Sequence, residues 1–362
     1  MENMVMNHEF WSGKRVFITG HTGFKGGWLT LWLTEMGAQV HGYALQPSSE
    51  PNFFNICSIS SRLQSCTIAD VRDRTTLTRT LQSVKPHIVF HLAAQPLVRY
   101  SYNFPVETYE VNIMGTVNLL EAVRNTPGIR AVLNVTTDKC YENHGNNQAY
   151  HENEAMGGYD PYSSSKGCSE LITAAYRRSF FDMGDTSVAS ARAGNVIGGG
   201  DWGTDRLIPD FFRAIYSGET LFVRFPDAVR PWQHVLEPLS GYLTLAERLY
   251  EGGNVFAEAW NFGPDDINNY PVRWVVEYLC NKIPGSSWMP QPGIYHHEAR
   301  YLQLDSAKAK KRLNWGPRWS LPVALERTMD WYNAWRNGKQ MLNFSLTQIR
   351  DHEWRNYHAG KV

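Results

Sequence analysis

The chain has 362 residues, of which 43% are hydrophobic and 19% charged, and its 35 basic residues balance 35 acidic ones. This is ordinary globular composition, and the charge balance argues against nucleic acid or a membrane surface as a partner. Five cysteines without a Cys-x-x-Cys pair, no apolar run of about 20 residues and no signal-peptide core together predict a cytoplasmic protein with reduced thiols.

Short apolar segments alternate with helical patterns through the first half of the chain. The predicted strands are 15–19, 39–45, 65–70, 87–93, 131–136 and 187–192, and the predicted helices are 28–36, 75–84, 111–124 and 162–178. This alternation predicts an α/β fold with a Rossmann-type, doubly wound parallel sheet. Ligands bind at the carboxyl ends of such strands, so we expect a site on the rim that contains Gly20, Ala94, Thr137 and Gly194.

The regular alternation ends after about residue 195. A glycine-rich loop at 198–203 and turns with prolines at 226, 231, 284, 290 and 292 follow. They predict a smaller, mixed α/β lobe at the C-terminal side. We place one domain at 1–192 and the lobe at 193–362. The chain is expected to return to the sheet within about 232–262, where 259–263 resembles one more strand.

A glycine-rich turn, Gly20-His-Thr-Gly23-Phe-Lys-Gly26, follows the first strand and precedes the first helix. Glycines at this point let the backbone approach a pyrophosphate at a helix N-terminus, although a tight turn without a ligand is the alternative. The second strand ends without an acid for the NAD ribose. No Lys or Arg occurs between Lys25 and Arg62 for the 2′-phosphate of NADP, although Lys25 itself could reach one. We favour NAD.

A tyrosine and a lysine four residues apart, Tyr162 and Lys166, follow Thr136-Thr-Asp-Lys139 by about twenty residues. On a helix, residues at this spacing share a face, so we expect the ammonium beneath the phenol. A positive neighbour favours phenolate and would lower the tyrosine pKa from its usual ~10. A phenolate can take a hydroxyl proton while hydride leaves the same carbon.

These segments, together with His91-Leu-Ala-Ala-Gln95, resemble the extended short-chain dehydrogenase/reductases, and Thr137-Asp138 beside the tyrosine motif is typical of their nucleotide-sugar 4,6-dehydratases. The resemblance covers about Trp11 to Trp331. The strings 136–143 and 192–202 are most similar to members that act on CDP-D-glucose. The resemblance therefore implies an NAD-binding domain, a nucleotide-sugar-binding lobe, CDP-D-glucose as substrate and a role in deoxysugar biosynthesis for lipopolysaccharide O-antigen.

The resemblance also implies residue roles in a 4,6-dehydration. Tyr162 would remove the C4 hydroxyl proton, Lys166 would bond the nicotinamide ribose, and Thr137 would bond the C4 oxygen. Asp138 would be the acid for the C6 hydroxyl, which requires burial to raise its pKa well above the usual ~3.9. Many members have Glu at position 139. Here Lys139 is either the C5 base, acting as neutral amine, or an orienting charge, and Glu142 is the next candidate base.

The remaining contacts are assigned to the cofactor and the substrate. Cofactor contacts are expected from Gly20, Thr22, Gly23, Phe24, Lys25, Gly26, Asp70, Val71, Leu92, Ala93, Ala94, Gln95, Tyr162 and Lys166, with Asp70 either on the adenine amino group or in a turn. Substrate contacts are expected from Asn195, Arg206, Arg224, Arg230, Trp232 and Arg300, since guanidinium groups match phosphate oxygens, and surface salt bridges are the alternative for the arginines. No metal is expected, because the adjacent His296 and His297 are poor chelate geometry.

Three alternatives remain open from the sequence: a nucleotide-sugar 4-epimerase, a 4,6-dehydratase for another nucleotide sugar, and an NAD-binding regulator without turnover. An epimerase needs no acid–base pair for C5 and C6, so Asp138 and Lys139 favour dehydration. By analogy with similar proteins, helices near 105–125 and 162–178 predict a homodimer, with a tetramer as the alternative.

Overall fold

The computed structural model describes residues 6–143, 145, 148–265, 270–293, 295 and 299–354. In this part of the chain the strands are β1 (Arg15–Thr19), β2 (Gln39–Ala44), β3 (Ser65–Ile68), β4 (Ile88–His91), β5 (Ala131–Val135), β6 (Ser187–Ala193), β7 (Val196–Ile197), β8 (Leu221–Val223), β9 (Val229–Arg230), β10 (Gln233–His234), β11 (Ala259–Phe262), β12 (Tyr270–Pro271) and β13 (Trp288–Pro290). Seven of them form one parallel sheet in the order β11-β6-β5-β4-β1-β2-β3. The predicted Rossmann-type α/β fold is therefore confirmed.

Helices cover both faces of this sheet. They are α1 (His8–Trp11), α2 (Phe24–Glu35), α3 (Phe53–Ile56), α4 (Arg74–Val84), α5 (Val98–Asn103), α6 (Pro105–Tyr109), α7 (Gly115–Arg124), α8 (Pro161–Tyr176), α9 (Leu207–Ser217), α10 (Leu236–Gly252), α11 (Val272–Lys282), α12 (Ala307–Leu313), α13 (Leu321–Arg336) and α14 (Met341–Trp354). Every residue of β4, β5 and β6 is buried, because helices exclude water from both faces. These apolar runs explain why the strands were recognisable from sequence.

The second half of the chain contributes to both the sheet and the lobe. Strand β11 pairs with β6 and extends the sheet, and α10 packs against β5 and β6. The lobe contains the two-stranded pairs β8–β13 and β9–β12 together with α9 and α11. Among the described helices, none combines the length and the apolarity that a membrane-spanning helix needs.

One irregular helical turn helps to place the site. Between α6 and α7 the helix continues as a π-turn, Glu110–Met114, which inserts an extra residue. Asn112 within this turn accepts a hydrogen bond from Gln95 N at 2.9 Å and donates to Ser165 Oγ on α8 at 2.8 Å. The π-turn therefore joins the loop after β4 to the helix that carries Tyr162, and π-turns are frequent at functional sites.

Candidate active site

A cavity of 870 Å³ lies at the carboxyl ends of the central strands, on the rim that the sequence predicts. All the residues assigned to the site from sequence line it except Arg300, which is exposed and meets the lobe through its carbonyl, a 3.0 Å acceptor for Val229 N. The assigned lining residues are Gly20, Thr22, Gly23, Phe24, Lys25, Gly26, Asp70, Val71, Leu92, Ala93, Ala94, Gln95, Thr137, Asp138, Lys139, Tyr162, Lys166, Asn195, Arg206, Arg224, Arg230 and Trp232.

The glycine-rich turn has the geometry of a phosphate cradle. Gly20 has φ of +79°, and a Cβ there would lie 2.7 Å from Ala93 N. A Cβ on Gly26 would lie 2.1 Å from the Gly20 carbonyl oxygen. Helix α2 begins directly afterwards with Gly23 as an N-cap that offers no side-chain acceptor, so its first N–H groups remain available to an anion. These residues fit a dinucleotide pyrophosphate.

Two residues bear on the choice of dinucleotide. Asp70 accepts hydrogen bonds from Arg72 N at 2.8 Å and from Arg72 Nη2 at 2.7 Å, so it has a turn role even though it lines the cavity. Burial lowers the pKa of Lys25 to about 8, and the charges of Arg206, Asp138, Lys166 and Asp201 also act on this pKa. Lys25 therefore interacts electrostatically with the groups around Asp138 and Lys166.

Tyr162 and Lys166 lie on the first turns of α8, which Asp160 caps by accepting a hydrogen bond from Ser163 N at 2.9 Å. Lys166 Nζ donates to the Val135 carbonyl at 3.0 Å, so the lysine is anchored to the end of β5. Burial lowers the pKa of Lys166 to about 8, although Glu170 opposes that shift. The predicted pair therefore shares one face and one cavity.

The predicted effect of Lys166 on Tyr162 is wrong for the protein groups alone. Burial raises the pKa of Tyr162 to about 12, and a hydrogen bond with Thr137 lowers it only in part. The chief reason is burial, because the phenol is almost fully removed from water and its charged form loses hydration. Tyr162 needs further positive charge in the cavity before it can act as a base near neutral pH.

Asp138 meets the physical requirement for a general acid. Its side chain lies in a short 3-10 turn, Asp138–Cys140, and Oδ1 accepts a hydrogen bond from Thr137 Oγ1 at 2.9 Å. Oδ2 is buried and has no hydrogen-bond partner among the described residues. Burial raises the pKa of this carboxyl in spite of the opposing charges of Lys139, Arg230 and Lys25. The direction of the shift is the one that the sequence argument requires.

The two candidate bases for C5 occupy different environments. Lys139 is half-buried and lines the cavity. Glu142 is exposed and is not part of the lining, and a Cβ built on Gly157 would lie 1.9 Å from its Oε2. The Glu142 carboxylate is therefore directed against the Gly157 backbone. Of the two residues, Lys139 is the one that the cavity contains.

Gly194 is a site residue that the sequence analysis placed only on the rim. A Cβ at this position would lie 2.9 Å from Asp138 Oδ2 and 2.2 Å from Pro231 Cγ. Only glycine lets the segment after β6 pass this close to the acid. The available signal was a glycine directly after a buried strand, which often marks close backbone approach.

Ion pairs that the sequence analysis missed lie on the substrate side. Arg206 Nη1 contacts both oxygens of Asp201, at 3.0 and 2.9 Å, and this carboxylate raises the pKa of Arg206. Arg99 and Arg224 share Asp205 Oδ1, at 2.5 and 3.4 Å. Asp205 has φ of +58°, which is uncommon for a residue other than glycine. No local pattern predicts the Arg99–Asp205 pair, because the two residues are 106 positions apart in the sequence.

Metal ligation finds no support among the described residues, in which no group of three or more His, Cys, Asp or Glu side chains is placed to hold an ion. The adjacent His296 and His297, rejected as ligands from sequence, lie outside the described residues.

A dinucleotide cradle, a tyrosine–lysine pair on one helix face and a buried acid at the same rim define the class: an enzyme of the short-chain dehydrogenase/reductase type. The chain belongs to the GDP-mannose 4,6 dehydratase family, whose match extends over residues 17–328. The resemblance to nucleotide-sugar 4,6-dehydratases inferred from sequence is therefore confirmed.

Individual proteins show which members of this family the chain is similar to. The chain is 50% identical over 354 residues to the CDP-glucose 4,6-dehydratase of Salmonella typhimurium, covering 96% of this chain and 98% of that protein. It is 25% identical to the dTDP-glucose 4,6-dehydratase of Streptomyces venezuelae, a structure with NAD bound, with a TM-score of 0.78 and coverage of 91% and 99%. The Thermotoga maritima UDP-glucose 4-epimerase, 21% identical with a TM-score of 0.74 and coverage of 89% and 99%, shares the fold.

Proposed function

We propose that this chain dehydrates CDP-D-glucose to CDP-4-keto-6-deoxy-D-glucose with NAD regenerated in each turnover. The observation that carries the proposal is Asp138, a buried carboxyl with a raised pKa, in one cavity with Thr137 and Tyr162; one of its oxygens has no hydrogen-bond partner within the part of the chain that the structure describes. The identity of 50% with a CDP-glucose 4,6-dehydratase supports the choice of reaction and of nucleotide.

The first part of the reaction is oxidation at C4. Tyr162 takes the C4 hydroxyl proton, and Thr137, its hydrogen-bond partner, holds the C4 oxygen. Lys166, whose ammonium is anchored to the Val135 carbonyl of β5, would hold the nicotinamide ribose beside the phenol. When bound in the cradle, NAD supplies the hydride acceptor for C4 and the donor that later reduces C6.

The second part is loss of water across C5 and C6, made possible because a C4 ketone acidifies the C5 hydrogen. Lys139, as the neutral amine, takes the C5 proton while Asp138 donates its proton to the leaving C6 hydroxyl. The resulting Asp138 carboxylate is stabilised by the neighbouring charges of Lys25 and Arg230. A proton returns from Lys139 to C5 as C6 is reduced, which restores the neutral amine. The proton that Tyr162 took from the C4 hydroxyl replaces the one that Asp138 gave to the departing water, which restores the phenolate and the carboxylic acid.

The substrate's diphosphate is held by the lobe side of the cavity. Arg206 and Arg230 present buried or half-buried guanidinium groups there, and Arg224 lies on the neighbouring strand end. Guanidinium forks bind phosphate oxygens in a bidentate manner. Asn195 and Trp232 complete this side of the lining. All of these residues belong to the proposed nucleotide-sugar-binding lobe, which begins at residue 193.

The enzyme acts as a cytoplasmic homodimer in deoxysugar biosynthesis for O-antigen. An exposed apolar face on adjacent helices supports the dimer: Val106 and Met114 lie on the α6–α7 helix, and Leu171 and Phe180 lie on α8 and its π-turn extension. Apolar side chains grouped on neighbouring helices are suited to pairing across a two-fold axis. A tetramer would require a second interface elsewhere.

The proposal is tested by incubating the protein and NAD with CDP-, dTDP-, UDP- and GDP-D-glucose and measuring the alkaline absorbance of a 4-keto-6-deoxy sugar. We expect product from CDP-D-glucose, and none with Tyr162→Phe. An epimerised sugar without keto-sugar would overturn the reaction. Keto-sugar from another nucleotide alone would overturn only the choice of base.

A further inference from the structure

A buried polar network lies behind the catalytic turn. Its centre is the ion pair between Glu170 on α8 and Arg192 on β6, with Nη2 and Oε2 2.9 Å apart and side chains only 3% and 4% exposed. Ser190 Oγ donates to Glu170 Oε2 at 2.6 Å, and Thr136 Oγ1 donates to Oε1. Both carboxylate oxygens are therefore satisfied inside the protein.

The network continues from the arginine to the other side of the turn. Arg192 Nη1 donates to the Tyr141 hydroxyl at 2.6 Å, and that hydroxyl donates to Asn261 Oδ1 on β11 at 2.7 Å. The Tyr141 ring stacks on Tyr150 with ring centroids 5.0 Å apart. We call Thr136, Tyr141, Glu170, Ser190, Arg192 and Asn261 the Glu170 network.

Two of the three hydroxyls of this network, those of Thr136 and Tyr141, lie at the two ends of the catalytic turn. Thr136 directly precedes Thr137, and Tyr141 directly follows the 3-10 turn Asp138–Cys140. Both ends of the segment that presents the acid and the C5 base are thus bonded to one ion pair. A rigid first shell needs support of this kind, since small displacements of a catalytic group slow chemistry strongly.

The same ion pair also connects the turn to the oxidation machinery. Glu170 lies four residues after Lys166 and eight after Tyr162 on α8, so it shares their helix face. Helix and turn approach closely at Gly167, where a Cβ would lie 2.7 Å from the Gly157 carbonyl and 3.2 Å from the Cys140 carbonyl. One buried group therefore sets the distance between the two halves of the site.

Stability alone does not account for such an arrangement. Burying two charges carries a desolvation penalty that can exceed their attraction, and apolar side chains of the same volume often stabilise a fold equally well. A fully satisfied polar network instead fixes one arrangement of the groups around it. This network lies between the turn that carries Asp138 and the helix that carries Tyr162. Its position indicates that it fixes the arrangement of this turn relative to this helix.

We propose that the Glu170 network is a positioning device for elimination, which holds Asp138 and Lys139 in register with Tyr162 and Lys166. The proposal rests on the proposed dehydration, because it assigns the network to the second half of that reaction. Loosening the network is expected to slow loss of water more than oxidation at C4, since Tyr162 and Lys166 stay on their helix.

The sharpest variants change single hydroxyl groups. Thr136→Val removes the hydroxyl that donates to Glu170 at nearly constant volume, and Thr136→Ser keeps it. Tyr141→Phe removes the hydroxyl at the other end of the turn and leaves the ring to stack on Tyr150. Glu237→Gln is the matched control: Glu237 is a fully buried carboxylate, bonded to Arg318 N and Trp319 N at 2.9 and 2.8 Å, and it is not part of the cavity lining.

Two readouts are needed, and the first requires no substrate. The amides of Glu142 and Gly157, which bond to the Ala155 and Cys140 carbonyls, report on the turn by hydrogen exchange. We expect about tenfold faster exchange at these amides in Thr136→Val and Tyr141→Phe, with Thr136→Ser close to the native protein. The second readout is keto-sugar formation, which we expect to be about tenfold slower at unchanged KM, with reduced nicotinamide accumulating in a single turnover.

The control distinguishes a displaced turn from a general loss of stability. Glu237→Gln should lower the unfolding temperature without changing exchange at the turn or turnover per folded molecule. The proposal is overturned if Thr136→Val matches Thr136→Ser in exchange and turnover, or if its turnover loss only follows the unfolding temperature. If the native protein forms no keto-sugar, the proposed function fails, while the exchange comparison still decides whether the network holds the turn.

Discussion

Two buried carboxylates, Glu170 and Asp138, have different hydrogen-bond partners, and their comparison shows what decides whether an acid inside this protein is ionised. Glu170 and Asp138 are 4% and 2% exposed. Burial pushes both pKa values up, but Arg192, Ser190 and Thr136 more than offset it at Glu170, whose pKa is lowered. At Asp138 the pKa is raised, and one oxygen has no partner among the described residues. Bonding partners, and not depth, decide whether a buried acid stays ionised.

The difference separates groups that hold the site from groups that react in it. The Glu170 network is satisfied and its charges are fixed. Three ionisable groups that line the cavity are less well stabilised as ions: the pKa of Tyr162 is raised and those of Lys25 and Lys166 are lowered, each chiefly by burial. A group whose charged form lacks stabilising partners exchanges protons with a ligand more readily, but its burial lowers the folding stability.

The largest expected effect on activity comes from changing Tyr162 in the cavity. Tyr162→Phe removes the group that takes the C4 proton, and we expect kcat to fall about 10³- to 10⁴-fold. Because the hydroxyl is poorly solvated in the native protein, the free energy of unfolding should change little. Keto-sugar assays and thermal unfolding measure the two quantities. A large stability loss with modest activity loss would place Tyr162 with the structural groups.

Breaking the Glu170–Arg192 ion pair should mainly lower the stability of the protein. Arg192→Leu leaves Glu170 buried without its counter-charge, and we expect the free energy of unfolding to fall by about 3–5 kcal/mol. Adding Glu170→Gln should recover much of this loss, because the uncompensated charge is then removed. Urea unfolding of the single and double variants measures both effects. Equal stability of Arg192→Leu and the native protein would contradict the assignment of this pair.

Asp138→Asn should separate activity from stability. We expect kcat to fall about 10²-fold because the acid is lost, while the free energy of unfolding rises by about 1 kcal/mol because an under-bonded buried carboxyl is removed. The folded pKa of Asp138 is raised, so its ionisation destabilises the native protein at pH values above that pKa. The stability gain should therefore be full at high pH and vanish as pH falls. Urea unfolding across pH tests this; a gain that grows on acidification would refute it.

The smallest effect is expected at the rim of the cavity. Arg99→Ala removes an ion pair with Asp205 whose side chains are 52% and 34% exposed. Solvent screens such pairs, so the free energy of unfolding should change by less than about 1 kcal/mol. KM for the nucleotide sugar is the more sensitive measurement, because the ion pair of Asp205 with Arg224, a proposed substrate contact, remains in this variant. A change as large as that for Arg192→Leu would show that exposure does not distinguish the two pairs.

Several parts of this architecture follow from residues that are close in sequence. The apolar strands, the glycine turn and the spacing of Tyr162 and Lys166 depend on local periodicity, and the structure places them as predicted. The sequence also indicated that the acid must have a raised pKa, and burial provides it. Boundaries shifted by a few residues, as at β4, where the predicted strand 87–93 is Ile88–His91.

Other features could not be read locally because they depend on how distant segments meet. The phenol's pKa depends on how completely the closed cavity removes it from water, and its spacing from Lys166 does not reveal this. The Arg99–Asp205 pair joins segments on opposite sides of the cavity, and Gly194 matters only because Asp138 lies beside it.

The order of residues alone determined the class of fold and indicated the glycine turn and the proposed reacting groups, because these depend on patterns within short segments of helix, strand or turn. Tertiary structure decided which of those groups are bonded and which are left reactive. The solvation and the hydrogen-bond partners of a buried group are set by the distant segments that fold against it. For this reason the pKa of Glu170 is lowered and that of Asp138 is raised, although both side chains are buried.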